Sequence, residues 1–282
     1  MKLISDRQEL RELLADWRRA GDHVALVPTM GNLHEGHLSL LKLAREHADR
    51  VVVTIFVNPT QFGEGEDYEQ YPRTLERDKR HLKRAKVDLL FTPSVETIYP
   101  FGTDSATSVT VPVLTKEFCG LNRPGHFDGV TSVVSRLFSL VQPDVAVFGQ
   151  KDFQQQLVIR RMVEDMHLPI RIISGPTMRE DDGLALSSRN QYLDESERER
   201  APTLYATLQD VEKALHDGKD NYGELEEQAC KRLEEAGFEP EYVSIRRAVD
   251  LAEPDREHDQ LVVLAAARLG RARLIDNLLV DV

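Results

Sequence analysis

VALVPTMGNLHEGH, residues 24–37, predicts a strand, a loop and a helix in immediate succession. The four apolar residues 24–27 predict a short β-strand, the loop after it carries glycine, and a helix is predicted from Gly36. Glycines let a backbone approach a phosphate closely, and a helix N-terminus offers free N–H groups and the positive end of its dipole. This succession is typical of an anion-binding unit in an α/β protein.

The same alternation of strands and helices continues on both sides of this stretch. A helix is predicted over residues 5–20, where Ser5 and Gln8 form a capping-box pattern and leucines recur at helical spacing. Continuous apolar strands separated by amphipathic helices indicate a parallel sheet that is covered on both faces. Further strands are predicted over residues 51–57, 87–91, 145–148 and 170–173, and further helices over residues 36–49, 74–86, 129–141 and 152–166.

The pattern changes after residues 175–176, Gly-Pro. We expect an α/β chain, with a Rossmann-like parallel-sheet domain over residues 1–175 and a smaller C-terminal α+β domain, acting as a lid, over residues 176–282. Ligands of Rossmann-like sheets bind at the carboxyl ends of the strands, at a topological switch point. In the second domain, two helices are predicted over residues 194–237 with a break at Gly218, followed by strands over residues 241–247, 261–267 and 274–279.

Length and composition exclude several other classes of protein. With 282 residues, two cysteines and 41% hydrophobic residues, the chain suits a cytoplasmic globular protein of two domains rather than a disulfide scaffold or a zinc ribbon. The N-terminus turns polar too soon for a signal peptide, and no apolar stretch reaches the ~20 residues that a membrane span needs. The net charge of −12 argues against nucleic acid or an anionic membrane as a partner.

The negative charge is not spread evenly along the chain. Residues 190–260 hold 20 acidic and 9 basic side chains, whereas the rest of the chain holds 28 and 27. A solvated face is the default explanation for such an acidic segment. The predicted parallel-sheet domain is therefore close to neutral, and the net charge does not exclude a polyanionic ligand there.

Two histidines, His34 and His37, lie at the start of the helix that follows the first strand of the motif. Residues three apart share one face of a helix, and two imidazoles beside an anion site can donate hydrogen bonds to phosphoryl oxygens. A solvated surface loop is the plainer alternative, but H-x-G-H directly between a strand and a helix favours phosphate binding. A zinc site is disfavoured because no third ligand lies nearby at a recognisable spacing.

Three more segments carry polar residues at predicted strand ends or in loops. Gln61 follows an Asn-Pro turn, and its amide suits a small molecule with hydroxyl and carboxylate groups, although a plain turn is an equal alternative. Lys151 lies in the first turn of a predicted helix, where the helix dipole disfavours it unless a phosphate lies between them. Residues 187–189, Ser-Ser-Arg, lie in a glycine-flanked loop that can grip phosphates.

These segments resemble the signatures of a known enzyme superfamily. Residues 33–37 resemble the H-x-G-H signature of the nucleotidyltransferases, and residues 184–190 resemble their K-M-S-K-S loop with Arg189 as the cation. Together the segments closely resemble one family, the pantoate–β-alanine ligases. Small departures from the family pattern at Thr60, Phe153 and Leu186 remove no polar group. The matching stretches are residues 28–37, 55–63, 71–73, 123–129, 148–155 and 182–192.

The resemblance implies an ATP-dependent reaction in two steps. The carboxylate of (R)-pantoate attacks the α-phosphate of ATP to give pantoyl adenylate and pyrophosphate, and the amine of β-alanine then displaces AMP. His37 is implied as the proton donor, with His34, Lys151 and Arg189 also taking part in catalysis. Implied ATP-binding residues are Met30, Gly31, Asn32, Leu33, His34, Glu35, Gly36, His37, Gly149, Gln150, Lys151, Asp152, Met178, Leu186, Ser187, Ser188 and Arg189.

The resemblance also implies the other ligands and the state of the enzyme. Gln61 and Gln155 are implied to bind pantoate, and Gln61 is also implied to help place β-alanine. Mg²⁺ is implied on the β- and γ-phosphate oxygens of ATP, with no ligands assigned to the protein. The enzyme is expected to be a cytoplasmic homodimer.

Some residues and functions stay open on the sequence alone. Arg123 and His126 lie in the run RPGHFDG, where proline and glycine could simply shape a loop. Asp88 and Asp182 could bind Mg²⁺, but capping or solvated roles are favoured. Alternative functions are a nucleotidyltransferase that stops after transfer, a non-catalytic nucleotide-binding regulator, and an aminoacyl-tRNA synthetase fragment, the last of which needs a basic RNA-binding surface.

Overall fold

The computed structural model describes residues 1–63, 65–255 and 260–281. The chain divides into two units, unit 1 with Met1–Gly149 and Gln154–Pro176, and unit 2 with Gln150–Phe153 and Thr177–Val282. It therefore enters unit 2 briefly at Gln150 and returns to unit 1 at Gln154. The division at residue 175 that the sequence predicts stays a prediction.

Unit 1 is built on a six-stranded parallel sheet. The central strand β2 pairs with β3 on one side and with β5 on the other, so the strand order reverses between β2 and β5. The loops that follow these two strands leave the sheet at its topological switch point. The strands are β1 (Lys2–Ile4), β2 (Val24–Thr29), β3 (Arg50–Ile55), β4 (Leu89–Phe91), β5 (Val145–Gly149) and β6 (Arg171–Gly175), in the order β1-β4-β3-β2-β5-β6.

The helices of this part of the chain flank or connect these strands. Two short 3₁₀ turns lie where polar motifs follow strands, at Pro59–Gln61 after β3 and at Gln150–Asp152 after β5. The helices are α1 (Arg7–Arg19), α2 (Glu35–His47), α3 (Leu75–Arg84), α4 (Val95–Ile98), α5 (Cys119–Asn122), α6 (His126–Val141) and α7 (Phe153–Asp165).

Both faces of the parallel sheet are buried, which explains its continuous apolar strands. In β2, Val24 and Leu26 belong to one hydrophobic core, and Ala25 and Val27 belong to the core on the other face. All four side chains are fully buried. Successive residues of a strand point to opposite faces, so a strand covered on both sides has no position for a solvated polar residue.

Unit 2 combines helices with a three-stranded antiparallel sheet. Leu208, Leu233, Ile245 and Val263 lie at the centre of its own hydrophobic core. The fold class predicted from the sequence, a Rossmann-like sheet followed by a smaller α+β part, is confirmed. Its elements are α8 (Glu195–Arg200), α9 (Thr203–His216), α10 (Tyr222–Glu235), β7 (Glu239–Arg247), β8 (Gln260–Leu269) and β9 (Ala272–Asp281), with a 3₁₀ turn at Ser188–Tyr192.

The structure corrects several details of the sequence prediction. The capping role of Ser5 is wrong, because the carboxylate of Asp6 accepts from the N–H groups of Gln8 and Glu9 at 2.7 and 2.9 Å. Where two helices were predicted over residues 194–237, three form, since α8 and α9 are separated at Pro202, which lacks the N–H that a helix interior needs. In the described part of the chain, every helix falls short of the length and apolar character needed to cross a membrane.

Candidate active site

A buried carboxylate holds the H-x-G-H loop after β2. Gly31 and Asn32 have φ angles of 86° and 52°, so the chain turns sharply before α2. The N–H groups of Asn32 and Leu33 donate to the two carboxylate oxygens of Asp78, at 3.0 and 2.9 Å. Asp78 is 0% exposed and lies on α3. The φ angle of Gly31 favours glycine, and a Cβ there would also make a tight contact of 3.2 Å with an Asp78 oxygen.

The same loop uses its other backbone donors within the protein. The N–H of Gly31 donates to the Thr29 hydroxyl at 3.2 Å, and the N–H of His34 donates to Nδ1 of His37 at 3.3 Å. Together with the two bonds to Asp78, every N–H from residue 31 to residue 34 is bonded internally. We therefore expect a phosphate at this loop to be contacted by side chains and by the first N–H groups of α2.

The two histidines of the motif lie against each other at the start of α2. Their ring centroids are 4.1 Å apart, with His34 at the N-cap position and His37 in the first turn. Since Nδ1 of His37 accepts the hydrogen bond from the His34 backbone, the neutral ring carries its proton on Nε2. The loop thus orients His37 so that Nε2 is a hydrogen-bond donor.

Gln61 is buried at the end of the 3₁₀ turn after β3, and its amide is held at both ends. Its Oε1 accepts from Nδ2 of Asn58 at 3.2 Å, and its Nε2 donates to Sδ of Met30 at 3.0 Å. The Tyr99 hydroxyl donates to Oδ1 of Asn58 at 2.7 Å. Burial raises the pKa of Tyr99, so the phenol stays protonated and keeps this donor role at neutral pH.

Arg123 and His126, whose roles the sequence leaves open, support the backbone of Gln61. Nδ1 of His126 donates to the Gln61 carbonyl at 2.7 Å, and Nε2 of the same ring lies 2.9 Å from Nη1 of Arg123. A guanidinium only donates and a carbonyl only accepts, so both contacts fit the neutral ring with its proton on Nδ1. In this structure the two residues hold a site residue in place.

Glu66 completes this network. It forms a two-pronged ion pair with Arg123, with both N···O distances at 2.6 Å. Burial by itself would raise the pKa of Glu66, but the hydrogen bonds and charge of Arg123 outweigh it and lower the pKa. The carboxylate therefore stays charged at neutral pH and fixes the guanidinium that contacts His126.

Gly129 on α6 lies directly against the turn that carries Gln61. A Cβ there would lie 2.3 Å from the carbonyl oxygen of Thr60 and 2.7 Å from Cα of Gln61, and both of these are backbone atoms that cannot rotate away. We predict that Gly129→Ala lowers the free energy of unfolding by about 3 kcal/mol, at the upper part of the usual range for overpacking. Urea unfolding of the purified variant measures this.

Gly223, near the start of α10, provides the matched control. A Cβ there would meet no atom within 4 Å. Gly223→Ala is expected to be neutral or to stabilise the protein by up to about 1 kcal/mol, because alanine is the better helix former. Equal stability of the two variants would contradict the close packing of Gly129 on the turn.

Two adjacent glutamines at the start of α7 have different environments. Gln154 is buried, accepts from the N–H of Cys119 at 3.1 Å, and donates to the carbonyls of Leu114 and Glu117, both at 2.8 Å. It ties a connecting segment to the helix. Gln155 is half-buried, and its side chain forms no hydrogen bond to the described residues. Its amide is therefore available to a ligand.

In unit 2, Lys151 and Ser187 line one cavity, together with Asn190 and Asp276. Lys151 forms no ion pair with any residue in the described ranges, and the Asp276 carboxylate of the same cavity is paired with Arg179. The Ser187 hydroxyl accepts from the N–H of Arg189 at 3.2 Å and caps the turn Ser188–Tyr192. The structure thus brings together residues from two segments that the sequence analysis identifies separately.

Met178 and Leu186, both implied as ATP-binding residues, lie opposite each other in a short hairpin. The N–H of Leu186 donates to the carbonyl of Met178 at 2.9 Å, and Arg179 and Ala185 form an isolated antiparallel bridge beside them. Met178 is 41% exposed, which leaves its side chain accessible.

The two aspartates considered for Mg²⁺ are used in other ways. Asp182 accepts from Arg198 at 2.6 Å and from the N–H of Leu184 at 3.1 Å, and the hydrogen bond from Arg198 lowers the pKa of Asp182. Asp88 accepts from the N–H of Val51 at 2.8 Å and pairs with Arg45. Across the described residues, no group of three His, Cys, Asp or Glu side chains is placed to hold a metal ion.

In sequence and in fold, the chain is similar to one group of enzymes. The model of the family described as Pantoate-beta-alanine ligase matches residues 2–279. Pantothenate synthetase of Halorhodospira halophila is 54% identical over 278 residues, which cover 98% of each chain. The crystal structure of pantothenate synthetase from Thermus thermophilus has a TM-score of 0.92 and 46% identity over 99% of both chains. That of pantoate-beta-alanine ligase from Francisella tularensis, complexed with beta-gamma ATP and beta-alanine, has a TM-score of 0.83 and 32% identity, covering 99% of this chain and 97% of that one.

Proposed function

The chain belongs to the family of pantoate–β-alanine ligases, and from this premise we propose which of its residues carry out each part of the reaction. The enzyme joins (R)-pantoate to β-alanine and converts ATP to AMP and pyrophosphate. In the first step a carboxylate oxygen of pantoate bonds to the α-phosphorus, and the bond to pyrophosphate breaks. In the second, the β-alanine nitrogen bonds to the acyl carbon, and AMP leaves.

We propose that His37 donates its Nε2 proton, or a hydrogen bond from it, to the phosphate oxygens as pyrophosphate leaves. The observation that carries this proposal is the hydrogen bond from the His34 N–H to Nδ1 of His37, which leaves the proton on Nε2. Negative charge builds on the leaving group in the transition state, so a donor oriented beforehand stabilises it. His34, with its ring against that of His37, is the second phosphate ligand in this proposal.

We propose that Lys151 and Arg189 neutralise further charge on the phosphates, with Ser187 and Ser188 as hydroxyl donors. The support is that Lys151 and Ser187 line the same cavity of unit 2 and that Lys151 has no carboxylate partner among the described residues. Fixed positive charge contributes most where it faces charge that develops in the transition state. In the same proposal the nucleotide is also bound by Gly149, Gln150, Asp152, Met178 and Leu186. Residues 30–36 bind it as well, through groups other than the two N–H groups that donate to Asp78.

We propose that Gln61 and Gln155 bind pantoate, and that Gln61 also places β-alanine. Gln61 is held by Asn58, and its carbonyl is held by His126. Gln155 offers an amide that no described residue uses. An amide both donates and accepts, which suits the hydroxyl and carboxylate groups of pantoate.

Gln155→Ala tests the pantoate assignment. We predict that it raises the KM for pantoate by about 10- to 100-fold, as expected for one or two lost hydrogen bonds to a charged ligand, and changes the KM for ATP by less than about threefold. Initial rates measured while each substrate is varied give both constants. Equal increases in the two constants would contradict the assignment.

Gln154→Ala is the contrasting variant at the neighbouring position. It removes the three hydrogen bonds that tie residues 114–119 to α7, so it is expected to lower the melting temperature. The Gln155 side chain forms no hydrogen bond to the described residues, so Gln155→Ala is expected to keep the melting temperature of the parent.

We propose that ATP enters as its Mg²⁺ complex. Magnesium in nucleotide sites is commonly bound by phosphate oxygens and water with few protein ligands. The absence of a three-residue ligand cluster in the described ranges fits an ion carried by the nucleotide rather than a cage built by the protein. No residue of the chain is assigned to the ion.

We also propose that the enzyme is a cytoplasmic homodimer. In support, neither Cys119 nor Cys230 forms a disulfide bond, which suits a reducing compartment. Burial raises the pKa of Cys230, which keeps it a thiol at neutral pH. Phe101, Val113 and Leu121 are exposed apolar side chains of unit 1, and such residues are candidates for contact with a second subunit.

A further inference from the structure

Two adjacent residues on β9, the charged Asp276 and the polar Asn277, are only 3% and 2% exposed. Both residues belong to unit 2. Asn277 lies 126 residues after Lys151 in the sequence. Buried polar side chains usually have a specific partner that explains them. The partners of these two are the segments that carry Lys151 and Ser187.

Asn277 holds the turn that carries Lys151. Its Nδ2 donates to the carbonyl oxygens of Gln150 and Lys151, both at 2.9 Å. Since carbonyls only accept, they fix which end of the amide faces the turn, and Oδ1 is left buried with no partner among the described residues. An unsatisfied buried oxygen lowers stability, so stability alone does not explain the asparagine.

Asp276 holds the hairpin that leads to Ser187. Its two oxygens accept from both terminal nitrogens of Arg179, at 2.6 and 2.9 Å. Arg179 also donates to the carbonyl of Gly183 at 3.1 Å and lies 3.6 Å from the ring centroid of Tyr205. The Asp276 carboxylate further accepts from the N–H of Asn277 at 2.8 Å, which links the two anchors.

We propose that Asn277 is a positioning residue for adenylate formation, acting through Lys151, and that Asp276 keeps the Ser187 hairpin in register with the same turn. By holding two consecutive carbonyls, Asn277 fixes the backbone of the turn whose Lys151 lines the cavity. Preorganisation of a cation lowers the reorganisation needed in the transition state. This inference rests on the proposed role of Lys151.

Hydrogen–deuterium exchange of the free enzyme tests the anchor without reference to catalysis. Asn277→Ala is expected to speed exchange of the amides in the peptide that spans residues 149–155. Asn277→Asp, which keeps the side-chain size but cannot donate, is expected to do the same. Ser244→Ala, at another buried polar position on β7 of the same sheet, is the control and is expected to leave that peptide unchanged. Unchanged exchange in both Asn277 variants would overturn the proposal.

A double-mutant cycle with Lys151→Ala tests the route through Lys151. Asn277→Ala alone is expected to lower kcat for ATP–pyrophosphate exchange by about tenfold or more, as two lost hydrogen bonds allow, with the pantoate KM within about twofold of the parent. In the Lys151→Ala background the same change is expected to lower kcat by less than about twofold, because the group it positions is gone.

The outcomes separate this proposal from the role of Lys151 itself. If Lys151→Ala is strongly impaired and the two effects multiply fully, Asn277 does not act through Lys151 and the positioning proposal is overturned. If Lys151→Ala retains the parent kcat, the catalytic role of Lys151 is wrong, and the positioning proposal is overturned with it. In that case, faster hydrogen–deuterium exchange at residues 149–155 in the Asn277 variants shows only that Asn277 holds the turn.

Discussion

Replacing His37 with alanine is expected to lower the rate of pantoate-dependent ATP–pyrophosphate exchange by about 10²- to 10⁴-fold, the range that general acid catalysis contributes. The reason is geometric. The His34 N–H occupies Nδ1 of His37, so the Nε2 proton is the group this ring offers to a ligand. Alanine removes that donor and also the acceptor of the His34 N–H at the start of α2, a capping loss expected to cost about 1 kcal/mol of stability.

His47→Ala is the control for this variant. His47 is an exposed histidine in the last turn of the same helix, and its replacement is expected to leave the exchange rate unchanged. Both variants should keep the melting temperature of the parent within a few degrees. An exchange rate in His37→Ala close to that of His47→Ala would contradict the role of His37 as proton donor.

Replacing Lys151 with methionine is expected to lower kcat for adenylate formation by about 10²- to 10³-fold, comparable to removing one preorganised electrostatic donor from an active site. Methionine keeps an unbranched side chain at this position and removes the charge. Because the cation faces charge that develops during the step, kcat should fall by a larger factor than the KM for ATP rises.

Lys219→Met is the matched control, since Lys219 is an exposed lysine of the same unit. It is expected to keep parental kinetics. Pre-steady-state measurement of pyrophosphate release checks both variants. A kcat for Lys151→Met within about threefold of the control would contradict a transition-state role for the ammonium.

The fold class could be predicted from the sequence because the patterns that indicate strands and helices are local. The apolar run of β2 and the start of the helix after it lie within residues 24–37, and both faces of the sheet are buried, as continuous apolar strands indicate. The details that were wrong involve competition between neighbours. Asp6 replaces Ser5 as the cap because its carboxylate reaches two N–H groups.

The sequence could identify the motifs but not their supports. Asp78 is separated from Asn32 by 46 residues, and a charged residue on an amphipathic helix is ordinarily taken as solvated. Likewise, nothing local distinguishes Gln154 from Gln155, or marks Asn277 as a partner of the Lys151 turn. These supports depend on contacts that form only when distant segments fold together.

Arg123 and His126 are a further case in which the contacts depend on distant segments. From the run RPGHFDG alone, Arg123 and His126 could either shape a loop or contact the substrate. In the structure both side chains bond within unit 1, to Glu66 and to the Gln61 carbonyl. Their distance from Gln61 in sequence, 62 and 65 residues, explains why no local pattern could reveal this.

The two-step reaction through pantoyl adenylate is tested most directly by an assay of the purified enzyme in which ATP, pantoate and β-alanine are each omitted in turn. We expect ATP–pyrophosphate exchange when ATP, pantoate and labelled pyrophosphate are present without β-alanine, and AMP release in stoichiometric amounts with pantothenate only when β-alanine is added. A nucleotidyltransferase that stops after transfer would show no such dependence on β-alanine. Exchange that proceeds without pantoate, or formation of ADP instead of AMP, would contradict the account.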